Sequence, residues 1–164
     1  MVVAAQGFRD EELFEPKEIL ERAGLEVKVA STNLSEAKGS QGAQIKPDIL
    51  VQDINWKDFA AIVFIGGKGS IQYWDDPLAH RLIQEAYAGQ RLVAAICIAP
   101  VTLARAGILK GKKATVWATE GEQLKDKGAD YTARQVEKDG NIITANGPSA
   151  ARQFGEEILK ALTN

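Results

Sequence analysis

The sequence predicts a three-layer α/β domain, a mostly parallel sheet covered by helices on both faces. Three observations point there. Ala60-Ala61-Ile62-Val63-Phe64-Ile65 and Leu92-Val93-Ala94-Ala95-Ile96 are continuous apolar runs, long enough for strands buried on both faces. Stretches of helical spacing alternate with the strands. The 164 residues suffice for one domain, 1–164, with its own core. No repeat, low-complexity segment or interdomain linker interrupts it.

Met1 to Ala5 reads as the first strand. It is short for a central parallel strand, which raises the expectation of a start further upstream. Gln6 to Glu11 reads as a loop. A helix then runs to about Ala23, with Pro16 in its early part and Gly24 as terminator. Leu13, Leu20 and Ala23 fall at helical spacing. Leu25 to Ala30 is the second strand. Ser31 to Gly42 is a polar connection, and Ala43 to Val51, with scattered apolar residues and one proline, suits an edge strand or hairpin. Asn55 to Phe59 is a short turn or helix before the Ala60 strand, which ends in Gly66-Gly67.

Asp76 and Pro77 suit the N-cap and first position of the next helix. That helix carries Leu78, Leu82, Ile83, Ala86 and Tyr87 and stops near Gly89. After the Leu92 strand, Pro100 opens a helix that Gly107 closes. Lys113 to Trp117 is a further strand, and Glu120 to Lys127 a short charged helix. Tyr131 to Glu137 and Asn141 to Ala145 flank Lys138-Asp139-Gly140, a hairpin turn signal. Pro148 opens the last helix, whose Ala151, Phe154, Ile158, Leu159 and Leu162 form one stripe.

Composition narrows the function. The net charge is −2, and no basic block suggests nucleic acid. No apolar run approaches ~20 residues, so no membrane span is expected. Met1 is followed by neither a basic start nor a cleavage site, so no signal peptide is expected. A single cysteine rules out an internal disulfide or a cysteine-cluster metal site, and with one histidine no metal centre is expected. A reducing cytoplasm is the expected setting.

Cys97 follows its strand with no loop residue between. A side chain on such a strand-to-helix turn stands at the sheet edge, facing the free N–H groups of a helix start. That field is expected to lower the thiol pKa. The plain alternative is a small buried hydrophobe. Open α/β sheets bind ligands at the carboxyl ends of their strands. Three ends are distinctive: the acidic loop ending in Glu11 and Glu12, the Gly66-Gly67 turn, and Cys97. If those strands are neighbours, a carboxyl, a glycine backbone and a thiol converge. The thiolate would be nucleophile or oxidisable group, and the backbone of Gly67 and Ile98 would supply oxyanion donors. A carboxyl buried near the thiol would have a raised pKa and move protons near neutrality. The alternatives are a plain turn at Gly66-Gly67 and a solvated helix residue at Glu12.

Other candidates read as structural. His80 falls on an expected solvent face. Trp56, Trp74 and Trp117 read as core or interface anchors. Asp75 and Asp76 read as capping residues, and Lys110 to Lys113 as a solvated strand entrance.

Taken together, Gly7…Glu12-Leu13-Phe14-Glu15-Pro16…Arg22-Ala23-Gly24, Ile65-Gly66-Gly67, Ala95-Ile96-Cys97-Ile98-Ala99-Pro100, Val136-Glu137-Lys138-Asp139-Gly140 and Gly147-Pro148 resemble the ThiJ/PfpI superfamily. That family includes the Parkinson-linked DJ protein and the PfpI intracellular proteases, and the resemblance covers nearly the whole chain. It implies a flavodoxin-like sandwich and a homodimer or larger homo-oligomer. It implies that Cys97 is the elbow nucleophile, in a strained backbone conformation, that Glu12 is the buried carboxyl bonded to the sulfur, and that Gly67 and Ile98 are the oxyanion donors.

Three departures bear on activity. The protease branch has histidine after the cysteine, where this chain has Ile98. It also borrows an acidic residue from a neighbouring subunit at a position matching Ile71. Some members of the Parkinson-linked branch bring a histidine from the following strand, where this chain has Trp117. Loss of a general base typically costs a factor of about 10² to 10⁴, so proteolysis ranks below two other expectations. The first is a cofactor-free thiol enzyme of glyoxalase or deglycase type, acting on small reactive carbonyls through Cys97 and Glu12. The second is an oxidative-stress sensor or protective protein in which an oxidant converts Cys97 to sulfenic and sulfinic acid. A third possibility is a vestigial pocket, the protein acting through its oligomer surfaces.

Overall fold

The strands Ala61–Phe64 and Leu92–Ile96 form side by side because their residues are apolar on both faces, and each face has a helix layer to bury it. The computed structural model describes residues 1–164. In chain order the elements begin with β1 (Gln6–Phe8), α1 (Asp10–Arg22), β2 (Ala30–Ser31), β3 (Ala37–Gly39), β4 (Gln44–Ile45) and β5 (Ile49–Leu50). Next come β6 (Ala61–Phe64), α2 (Pro77–Ala88), β7 (Leu92–Ile96) and α3 (Pro100–Arg105). The chain closes with β8 (Lys113–Ala114), α4 (Gly121–Asp126), β9 (Asp130–Tyr131), β10 (Val136–Asp139), β11 (Ile142–Ala145) and α5 (Ala151–Thr163).

The central sheet runs β10-β11-β7-β6, parallel except for the β10–β11 hairpin. Val2 bridges in parallel to both Phe64 and Ala30, which joins this sheet to the β2–β5 pair. Side chains alternate between two cores. Ile62, Phe64, Val93, Ala95 and Ile142 face the layer of α2, α3 and α4. Val63, Ile65, Ala94, Ile96 and Ile143 face α1 and α5. The result is the flavodoxin-like αβα sandwich that the sequence predicts. No helix is long and apolar enough to cross a membrane.

Several elements differ from the sequence reading, each for a local reason. Gln6 to Phe8 is a strand, because it pairs in parallel with the equally short β3. Helix α1 begins at Asp10, so Glu11 and Glu12 lie in its first turn and not in a loop. The Asp10 carboxylate accepts from the N–H groups of Gln41 and Ala43 and fastens the β3–β4 hairpin against α1. The expected strand from Leu25 shrinks to β2, where the Val29 N–H bonds the Asp48 side chain in place of a ladder partner. The Lys113 strand shrinks to two residues, because the Thr115 N–H is taken by the Thr144 hydroxyl and the Trp117 N–H by the Cys97 carbonyl. Glycine ends α1 as expected, with Gly24 at φ +84°.

Asp76 caps α2 by accepting from the Leu78 N–H at 3.0 Å, with Pro77 in the first turn. Asp76→Ala is expected to cost about 1 kcal/mol, read as a lower urea midpoint at unchanged m-value. Asp75 does not cap. It pairs with Arg105 at 2.5 Å. Lys112 likewise has a partner, Asp139.

Candidate active site

Strand β7 is buried along its whole length and ends directly at Cys97, which adopts φ +65°. A non-glycine residue in this left-handed region costs about 1–2 kcal/mol. The cost is borne because both peptide groups of Cys97 are held. Its N–H donates to the Ala145 carbonyl on β11 at 2.9 Å, and its carbonyl accepts from the Trp117 N–H at 2.8 Å. Pro100 then opens α3. The side chain is turned out at the carboxyl end of the sheet and stays half-buried.

The three strand ends meet, since β6 lies beside β7 and the N-terminal segment lies beside β6. A Cβ placed on Gly66 would sit 2.5 Å from the Cys97 Cβ and 2.5 Å from Glu12 Oε2. Glycine therefore leaves the space across which thiol and carboxyl face one another. The adjoining Gly67 has φ +94°, and a Cβ there would come within 2.5 Å of the Arg9 backbone nitrogen. The Arg9 N–H donates to the Gly66 carbonyl at 3.0 Å, so the start of α1 is tied to this loop.

Glu12 is fully buried, and neither of its oxygens has a well-formed hydrogen bond. Burial pushes its carboxyl up to about 8, against the weaker pull of the Cys97 thiol, the Gly66 backbone and Arg9. The Cys97 thiol is pushed up to about 12, first by burial and then by the charge of Glu12. The Gly67 and Ile98 backbones act on the sulfur in the opposite direction. The expected lowering of the thiol pKa is thus reversed. Helix α3 has six residues, and so short a dipole does not outweigh desolvation beside a carboxyl. Each group keeps its own proton below about pH 8, and the carboxyl releases its proton before the thiol.

Cys97, Gly67 and Ile98 line an open pocket of about 320 Å³ together with Arg9, Ser40, Lys68, Trp117 and Pro148. Glu12 lies behind it. Trp117 is 45 % exposed at the pocket wall, so it is not a core anchor, whereas Trp56 and Trp74 pack against the core. Sequence reasoning missed Arg9, Ser40 and Lys68. Ser40 follows a hairpin strand that no periodicity marked, and Arg9 and Lys68 carry no local signal beyond their place beside Asp10 and Gly67.

His80 does not serve the thiol. Its Nε2 lies 2.7 Å from the Trp74 carbonyl, so it is half-buried and not on the expected solvent face. Trp74 in turn donates its indole N–H to the Ile98 carbonyl at 3.1 Å. This buttresses the residue after Cys97. Trp74→Phe keeps an aromatic ring, removes the donor and trims the packed side chain; it is expected to cost at least about 1 kcal/mol, measured by urea unfolding.

A model described as the DJ-1/PfpI family matches residues 1–161. Uncharacterized protein MJ0967 of Methanocaldococcus jannaschii is 50% identical over 165 residues, covering 99% of this chain and 80% of that protein. Deglycase TK1284 of Thermococcus kodakarensis is 29% identical over 99% of this chain and 98% of its own length. The glutathione-independent glyoxalase DJR-1.2 of Caenorhabditis elegans is 29% identical over 88% of this chain and 77% of its own length. Among solved structures, a ThiJ/PfpI domain protein from Brachyspira murdochii superposes with a TM-score of 0.96 at 35% identity, covering 98% of this chain and 93% of that one.

Proposed function

Because this chain belongs to the DJ-1/PfpI family, we propose that it is a cofactor-free thiol enzyme of glyoxalase or deglycase type acting on small reactive carbonyls. The observation that carries this is the fully buried Glu12 carboxyl, unpartnered and facing Cys97 across Gly66. The names of TK1284 and DJR-1.2 support the same reading.

With methylglyoxal, the Cys97 sulfur bonds to the aldehyde carbon and the thiol proton goes to the carbonyl oxygen, giving a hemithioacetal. The Glu12 carboxylate takes the proton from that carbon, and the backbone of Gly67 and Ile98 faces the developing oxyanion. Glu12 returns the proton to the neighbouring ketone carbon, while the hydroxyl proton on the first carbon's oxygen passes to the former ketone oxygen. The first carbon is oxidised to a thioester and the second reduced to a carbinol, so no external redox partner is needed. Water cleaves the thioester to lactate and restores the thiol. Glu12 acts here as a base, so turnover is expected to rise with pH toward its value of about 8.

The oxidation-sensor reading draws on the same orphan carboxyl, which in its protonated form can donate to an oxygen added on sulfur. Proteolysis ranks lower, since the sole histidine, His80, is engaged with the Trp74 carbonyl. We take residues 1–164 to act as one domain, in the cytoplasm, as a homodimer or larger homo-oligomer. Exposed Leu34 and Ile71 are apolar positions that assembly could cover.

The test is lactate formation from methylglyoxal by the parent and by Cys97→Ser, with mass spectrometry after limiting peroxide. Turnover that disappears in Cys97→Ser is expected. Turnover that survives the substitution sinks the mechanism. No turnover, with selective oxidation of Cys97, moves the function to the sensor.

A further inference from the structure

The charge on the pocket wall suggests what kind of electrophile it takes. The wall carries two cations, Arg9 and Lys68, and no carboxylate. Arg9 is held by Glu11 through two contacts of 2.7 and 3.0 Å. Lys68 makes no ion pair. It is exposed at the rim and directly follows Gly67, whose backbone faces the sulfur. The acid Glu12 lies behind the pocket and is not part of its wall. One positive charge is therefore left uncompensated beside the nucleophile. The 320 Å³ pocket also has room beyond a three-carbon dicarbonyl. The Trp117 ring gives its wall an apolar flank for intervening methylenes.

We propose that the Cys97 pocket selects small electrophiles carrying an anionic group, with Lys68 as the specificity residue and Arg9 in support. If the carbonyl-enzyme reading holds, on which the choice of substrate rests, this means 2-oxoaldehydes bearing a carboxylate or phosphate. The reaction is the same internal redox and hydrolysis, and 4,5-dioxopentanoate would yield 2-hydroxyglutarate. The anion stays outside the bond changes and is seated by the Lys68 ammonium, whose flexible stem spans a separation of two or three carbons.

The first measurement needs no turnover. Cys97 is alkylated by iodoacetate and by iodoacetamide, two reagents of similar size differing in charge, and the ratio of rates is compared between the parent and Lys68→Met. A unit charge at about 4 Å is worth ~1 kcal/mol in water, or about fivefold in rate. The iodoacetate-to-iodoacetamide ratio is expected to fall about fivefold in Lys68→Met. In the parent it is expected to fall similarly near 1 M salt, where the screening length is ~3 Å. Ratios that do not move overturn the proposal whatever the enzyme turns over. The second measurement compares kcat/KM for 4,5-dioxopentanoate and methylglyoxal. A parental preference for the anionic substrate that Lys68→Met lowers supports the proposal, and equal preference in both proteins overturns it. Should neither dicarbonyl be consumed while the alkylation ratio still falls, the anion-selective pocket stands and the carbonyl-enzyme reading fails.

Discussion

Glu12→Gln is expected to lower methylglyoxal turnover by about 10² to 10⁴, the usual weight of a positioned proton-transfer group, while leaving Cys97 in place. The amide has the same shape and no charge, so the fully buried site should keep its packing. The same substitution should change how stability depends on pH. Glu12 has an ordinary value of 4.5 and a folded value of about 8. Between these the native state keeps a proton that the unfolded chain has released. Stability contributed by Glu12 is thus fully present below 4.5, falls as pH rises through this window, and levels off above about 8. At ~1.4 kcal/mol per pH unit the limit is a few kcal/mol. Urea unfolding of parent and Glu12→Gln at pH 5, 7 and 9 should show the variant gaining on the parent as pH rises. Taking the difference between the two isolates Glu12 from other titrating groups. A parallel pair of profiles would mean that the carboxyl is already ionised when folded, and a variant with parental turnover would remove it from the mechanism.

Gly66→Ala is the second large effect. The added methyl would lie 2.5 Å from the Cys97 Cβ, 2.5 Å from Glu12 Oε2 and 2.6 Å from the Ile96 carbonyl oxygen. The carboxylate end can turn aside, but the Ile96 carbonyl sits at the end of a buried strand held on both sides by neighbours. Overpacking of this kind costs about 1–3 kcal/mol. A displacement of about 1 Å between thiol and carboxyl costs on the order of 10² in rate. Both losses should appear together, as a lower urea midpoint and a hundredfold drop in lactate formation. A variant that loses stability yet keeps its turnover would show that the Cys97–Glu12 spacing is not what catalysis requires.

Much of this architecture was legible because its signals are local. The apolar runs ending at Ile65 and Ile96, the Asp76-Pro77 cap, Gly24 as helix stop and the Phe154–Ile158 stripe each state their structure within a few residues. The step from strand to helix at Cys97 belongs with them, since Pro100 marks a helix start three residues on. The short strand β1 was not legible, because it exists only through hydrogen bonds to β3, some thirty positions away. The expectation about the thiol failed for a related reason. A helix start can be read from sequence, but desolvation depends on what the folded chain stacks around a side chain. Here burial and Glu12 outweigh the nearby backbone amides. Sequence alone determined the αβα layering and marked Cys97 and Glu12 as candidates. Only tertiary structure decided that Glu12 is sealed without a partner, that Gly66 keeps carboxyl and thiol face to face, and that Arg9 and Lys68 share the pocket wall. Periodicity records which face of an element is apolar, whereas charge, proton affinity and pocket shape arise from groups that meet only when the chain has folded.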